Sequence, residues 1–142
     1  LATGTFVSVG PLRGKIIAAG APYIQDAVLT GLNMKEVGAM VFPTAAVREL
    51  SGMDASVPLA DVLNSPGVLA HFQKVLDELA KSATGSANRI ARMCLLSEPP
   101  TIDRGEITDK GSINQRAVLT HRAETVAALH ADTLHTILKP GA

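Results

Sequence analysis

Aromatic side chains are scarce in this sequence: it has no tryptophan, one tyrosine and three phenylalanines among 142 residues. A surface that stacks on nucleic-acid bases therefore has little to be built from. An excess of one charge sign is also missing. The 13 basic and 13 acidic side chains cancel, which argues against a broad electrostatic footprint for nucleic acid or for an anionic membrane. No apolar run approaches the roughly 20 residues that cross a bilayer, and the opening lacks the basic-then-apolar order of a secretion signal. The lone cysteine, Cys94, cannot close an internal disulfide, which fits a reducing cytoplasm. Its setting in "RMCLL" reads as a buried packing position rather than a nucleophile. The first residue is Leu rather than Met, so we expect the chain to begin inside a longer polypeptide.

What is present is a globular composition, 46% apolar and 18% charged, with enough length for one domain and its core. "LATGTFVSVG" reads as the far side of a hairpin, with Thr5 to Val9 alternating and Gly4 at the turn. "GPLRGKIIAAG" suits a short helix with Leu12, Ile16 and Ile17 inward, although Gly14 weakens it. Tyr23–Thr30 and Val37–Phe42 read as strands joined through Gly31 and Asn33. Pro43 to Asn64 is mixed, with a short helix over Leu59–Leu63. The strongest helix follows, with Ser65 as N-cap, Pro66 at its first position, and Val68, Leu69, Phe72, Val75, Leu76 and Leu79 at helical spacing. Arg89–Leu96 is the third strand, ended by the prolines of "SEPPTID". A single terminal helix is expected over 114–134. The fold class is α+β: a small three-stranded sheet covered by helices, with a partial N-terminal hairpin cut at a domain hinge.

The residues by themselves complete no catalytic constellation. The polar stretch "GEITDKGSINQR", Gly105 to Arg116, carries Lys110 between Asp109 and Gly111. Its ammonium could stabilise developing negative charge on a phosphate or carboxylate; composition alone favours a solvated surface lysine. Gly4 could let a backbone approach a ligand, or simply turn a hairpin. Asp103, Glu106 and Asp109 lack the spacing of a cation cage and read as solvated. His130 and His135 are spaced too far apart to share a helical face as metal ligands, and His71, beside Phe72, reads as a boundary residue. His121 lies along the terminal helix. No metal site is expected. Ser8, Ser51 and Ser112 lack a G-x-S-x-G context, and no dinucleotide or Walker-type glycine motif occurs.

Two stretches carry a resemblance. "GEITDKGSINQRAVL" resembles the C-terminal lysine motif of the adenylate-forming, AMP-binding acyl-CoA synthetases, most closely their feruloyl-CoA synthase-like branch. "LATGTFVSVGPLR" is similar to the later part of that family's hinge motif, and "DAVLTGLNMKEVGAMVFP" to the strand, loop and strand of its small domain. Thr108 and Asp109 precede the lysine where Ser or Thr, then Gly, is the commoner pattern, and Ser112 stands where the feruloyl branch has an aromatic residue.

The resemblance implies that residues 1–142 are the mobile C-terminal lid of a two-domain acid–CoA ligase whose N-terminal domain is absent. That domain is expected to bind ATP and Mg2+ together with the acid, ferulate or another hydroxycinnamate. It places Lys110 as the adenylation lysine and Gly4 beside the path of the coenzyme A pantetheine arm, and allows Arg13, Lys15, Arg89 and Arg92 as contacts for the coenzyme's phosphates. The implied partners are the chain's own N-terminal domain, the carboxylic acid and coenzyme A, with neither nucleic acid nor membrane, in the cytoplasm. The isolated fragment is expected to be inactive. Two other readings remain: a non-catalytic interaction module that keeps the fold, and an adenylating domain that hands its acyl group to a carrier protein or to a reductase.

Overall fold

The continuous apolar run "VGAMVF" becomes the centre of the sheet, as expected of a strand covered on both faces. In the computed structural model, which describes residues 9–31, 37–82, 90–108, 113–134 and 137–139, the elements run in a simple order. Helix α1 (Val9–Gly20) leads to strands β1 (Ile24–Thr30) and β2 (Val37–Pro43). Three helices follow, α2 (Val47–Ser51), α3 (Leu59–Leu63) and α4 (Pro66–Ser82), then strand β3 (Ile90–Leu95) and helices α5 (Gln115–His121) and α6 (Ala123–His130). Residues 1–8, where the partial hairpin is expected, lie outside the described residues.

The strand order is β1-β2-β3. β1 runs antiparallel to β2, with Val28 opposite Met40, and β3 runs parallel to β2, with Cys94 opposite Met40. A parallel neighbour requires a long crossover, and α2 to α4 supply it. The α+β reading therefore holds, and the sheet is covered on both faces. On one side Leu12 and Ile16 of α1 and Val68, Phe72 and Leu76 of α4 pack on Ala27, Leu29, Ala39, Val41 and Met93. On the other, Val118 of α5 and Leu129 of α6 pack on Val28, Met40, Phe42 and Cys94. Strand alternation divides each strand between the two clusters.

Several boundaries differ from expectation for identifiable reasons. α1 runs through Gly14, where a β-carbon would meet open space, and its one buried face, Leu12 and Ile16, holds the helix regardless of propensity. Ser65 does not cap α4 with its side chain: its hydroxyl donates to the Val62 carbonyl at 2.7 Å, closing the end of α3. α2 arises from the segment read as mixed, because Val47 is fully buried under α4. The single terminal helix is two helices, broken at Arg122 (φ −108, ψ 32). The segment around Leu138 adds a bridge to the open edge of β3, exchanging 2.8 Å backbone hydrogen bonds with Met93.

Candidate functional site: the root of the lysine loop

The stretch around Lys110 is held at its two ends. Ile107 and Ile113 form an antiparallel bridge, and the Asn114 amide donates to the Glu106 carbonyl at 2.8 Å. Just before it, a turn brings the Gly105 amide to Ile102 O at 2.9 Å and the Glu106 amide to Thr101 O at 2.9 Å. Gly105 takes φ +70, a left-handed conformation in which glycine is unstrained. On the other side Asn114 starts α5, its side-chain oxygen accepting from the Ala117 amide at 3.1 Å. Lys110 itself, with Asp109, Gly111 and Ser112, lies outside the described residues.

Glu106 corrects the reading of this stretch as solvated. Its side chain is fully buried, and its carboxylate is gripped from three directions. Arg122 donates through Nε to Oε2 at 2.8 Å and through Nη2 to Oε1 at 3.1 Å. His121 Nδ1 stands 3.0 Å from Oε2, and the Thr101 amide and hydroxyl donate to Oε1 at 3.0 and 3.2 Å. Burial on its own would raise this carboxyl's pKa; the hydrogen bonds from Arg122, His121 and Thr101 outweigh it and hold the group at about 2. Arg122 also donates to the Pro99 carbonyl at 3.0 Å and lies 5.1 Å from the centre of the Phe42 ring. The helix break at Arg122 lets two consecutive residues, His121 and Arg122, address one carboxylate, which an unbroken helix would spread around its surface. Glu106 thus ties the turn before the loop, the joint between α5 and α6, and the sheet into one buried knot.

The other candidates are scattered. Gly4 and Arg89 lie outside the described residues. Arg13, on α1, makes two 2.6 Å hydrogen bonds to the buried Asp26, and Lys15 is exposed on the same helix. Arg92 is buried, with Nη1 donating to the Leu129 and His130 carbonyls at 2.9 and 3.2 Å and to Asp132 Oδ1 at 2.7 Å. It neutralises the carboxyl end of α6, where a cation is favoured.

Asp103 is exposed. His71 is half-buried, edge-on to Tyr23 and Phe72. His130 meets Thr30 Oγ1 at 2.7 Å through Nε2, and His135 lies outside the described residues. Cys94 is buried, and burial pushes its thiol up to about 12, as befits a packing residue. Among the described residues no group of three or more His, Cys, Asp or Glu side chains could hold a metal ion, and no helix is long and apolar enough to cross a membrane. Sequence reading missed the knot because Glu106 meets partners 15 and 16 positions away. The only local sign was a helical pattern that left His121 and Arg122 competing for one inward position.

The fold and this anchored loop belong to a known class. The family described as AMP-binding enzyme C-terminal domain matches residues 1–133, and the chain belongs to that family. No curated protein matches it. Among solved structures, the adenylation domain of a carboxylate reductase from Mycobacterium chelonae shares the fold with a TM-score of 0.67 and 24% identity, over 93% of this chain and 19% of that one. The A domain of carboxylic acid reductase from Segniliparus rugosus, solved with AMP and a co-purified carboxylic acid, gives a TM-score of 0.61 at 21% identity, over 94% of this chain and 20% of that one. The A-PCP didomain of that reductase, with AMP, gives 0.57 at 20% identity, over 87% of this chain and 16% of that one. The chain thus spans about a fifth or less of the solved chains it resembles.

Proposed function

We propose that the chain is the closing domain of a two-domain enzyme that activates a carboxylic acid with ATP, and that Lys110 is its adenylation lysine. The observation that carries this reading is the family match over residues 1–133, which includes the lysine loop. In the first step a carboxylate oxygen attacks the α-phosphate, forming the mixed anhydride of the acyl-adenylate and releasing pyrophosphate. A flexible ammonium brought in by Lys110 orients the carboxylate and the phosphate oxygens while charge moves between them. A lysine carried on a separate domain can then withdraw before the second step. There a thiol attacks the acyl carbon, AMP departs with the bonding electron pair, and a thioester results.

The acceptor we favour is coenzyme A, with ferulate or another hydroxycinnamate as the acid. Gly4 would line the pantetheine path, and Arg13, Lys15, Arg89 and Arg92 are candidates for the phosphates. Arg13 and Arg92 would have to leave Asp26 and Asp132 to serve there, so exposed Lys15 is the strongest described member. Magnesium, which accompanies ATP, would be held mainly by the other domain. A second reading, transfer to a carrier-protein phosphopantetheine, draws support from the fold shared with the A-PCP didomain of a carboxylic acid reductase.

The test uses the full-length enzyme with Lys110→Ala. Acid-dependent pyrophosphate release should fall by about 10²–10³-fold, the scale of losing a transition-state charge stabiliser. Thioester formation from a synthetic acyl-adenylate should stay within about twofold. Offering that adenylate coenzyme A or a holo-carrier protein separates the two acceptors. If both half-reactions survive the substitution, the lysine is a surface charge and the chain is an interaction module.

A further inference from the structure

A cleft at the start of α5 concentrates positive charge that the fold does not use. It opens between the turn at Arg104 and the outer side of α5. Arg104, Asn114, Arg116, Ala117, Thr120 and His121 line it, around a volume of about 590 Å3. Arg104 and Arg116 are both exposed, and among the described residues neither makes an ion pair or a hydrogen bond. Among the described residues no carboxylate lines the cleft. The acid directly behind it, Glu106, is fully buried and occupied by Arg122, Thr101 and the Nδ1 side of His121, so it does not neutralise the two arginines. Exposed Asp103 adjoins Arg104 in sequence, and exposed Glu124 faces the neighbouring depression that His121 also borders.

The polar groups that remain are mostly donors. The Asn114 side-chain oxygen is taken by the Ala117 amide, which leaves its NH2 for the cleft. Thr120 offers a hydroxyl and each guanidinium a planar fork. Forked donors without acceptors suit phosphate, whose several oxygens accept from more than one direction. The charge is local, because the chain as a whole is neutral, and so it is not the by-product of a basic protein. Arg104 and Arg116 also flank Lys110 symmetrically, six positions before and six after it.

We propose that this cleft is a binding site for a phosphate-bearing ligand, held by Arg104 and Arg116 with Asn114 and His121 at its wall. The site stands apart from the reading of Lys110, because its occupancy is read without turnover. The same chemistry could come from a nucleotide's polyphosphate or from the 3′-phosphate of a coenzyme, and the probes below separate the two.

The test is calorimetric titration of the 142-residue chain with pyrophosphate, tripolyphosphate, coenzyme A and dephospho-coenzyme A, with acetate as a control. The expected result is saturable binding of at least one phosphate probe, weakened severalfold between about 20 and 200 mM salt, and none of acetate. Arg104→Gln and Arg116→Gln should each weaken it about three- to fivefold, and the double substitution about tenfold or more. Lys74→Gln, on the exposed side of α4, should change it less than twofold. Tighter binding of coenzyme A than of dephospho-coenzyme A assigns the site to a 3′-phosphate; preference for pyrophosphate and tripolyphosphate assigns it to a polyphosphate. Nitrogen-15 spectra give an independent reading, with the Nε signals of Arg104 and Arg116 shifting on addition of pyrophosphate. Absence of saturable binding by every phosphate probe overturns the proposal. So does binding that both arginine substitutions leave intact, or that Lys74→Gln weakens as much.

Discussion

The two faces of the sheet are held by different physics. Under α1 and α4 the contact is chiefly a broad apolar layer, in which Phe72, Leu76 and Val68 are wholly buried against Ala39, Val41 and Met93, with the Arg13–Asp26 ion pair beside it. Under α5 and α6 the apolar cluster is smaller, and much of the attachment is directional. Arg92 takes the end of α6, His130 meets Thr30, and Glu106 gathers Arg122, His121 and Thr101. Gln115 reaches β1, donating to Ala27 O at 3.0 Å and accepting from the Leu29 amide at 3.3 Å, which occupies polar groups that an edge strand otherwise leaves open. An apolar layer tolerates small slides, whereas a network of charge-assisted hydrogen bonds specifies a position. The face that carries the Ile107–Ile113 bridge is the one built from specific partners.

The largest expected loss lies in the apolar layer. Phe72→Ala removes a fully buried ring between α4 and the sheet and should cost about 3–5 kcal/mol in urea unfolding. That loss should be nearly independent of pH, since the side chain removed carries no charge. A loss that varied strongly between pH 7 and pH 3 would break the contrast between the two faces.

Glu106→Gln should cost less, about 2–3 kcal/mol at pH 7, by weakening charge-assisted hydrogen bonds to Arg122 and His121. Its signature is the pH dependence. The folded carboxyl is held at about 2, below its ordinary value of 4.5. Its contribution is therefore complete above about pH 4.5 and is lost as pH falls toward 2. The stability gap between the native chain and Glu106→Gln should close across that window, as followed by denaturant unfolding at several pH values. A gap that stays constant would mean that the carboxylate's charge does not hold the knot.

The same contrast decides how much was legible beforehand. Apolar periodicity placed α4, the central strand and the burial of Cys94, because burying a regular stripe is a local rule. Glu106 was misread because an acid between Gly105 and Ile107 has no local pattern, and its partners come from the far end of the next helix. The break at Arg122 was hidden for the same reason: only the third dimension shows that two neighbours share one target. The bridge from Leu138 to Met93 joins segments too distant in sequence for any periodicity to announce. Lys110 and Gly4 stand out by motif alone, and both lie outside the described residues.

The smallest effect tests whether burial, rather than hydrogen bonding as such, gives the polar face its strength. Asn114 makes a directional contact like those of Glu106, accepting from the Ala117 amide at 3.1 Å, yet it is exposed. α5 has 7 residues, too few to stand by propensity, so its first turn depends on that cap and on packing through Val118. Asn114→Ala should therefore cost about 1 kcal/mol, and Asn114→Ser, which restores an acceptor, less than half of that. Water can reach the exposed Ala117 amide once the cap is gone, but it cannot reach the donors around Glu106 without opening the knot. If unfolding midpoints put Asn114→Ala level with Glu106→Gln, seclusion from water adds nothing at Glu106. The polar face would then owe its order to hydrogen-bond geometry alone.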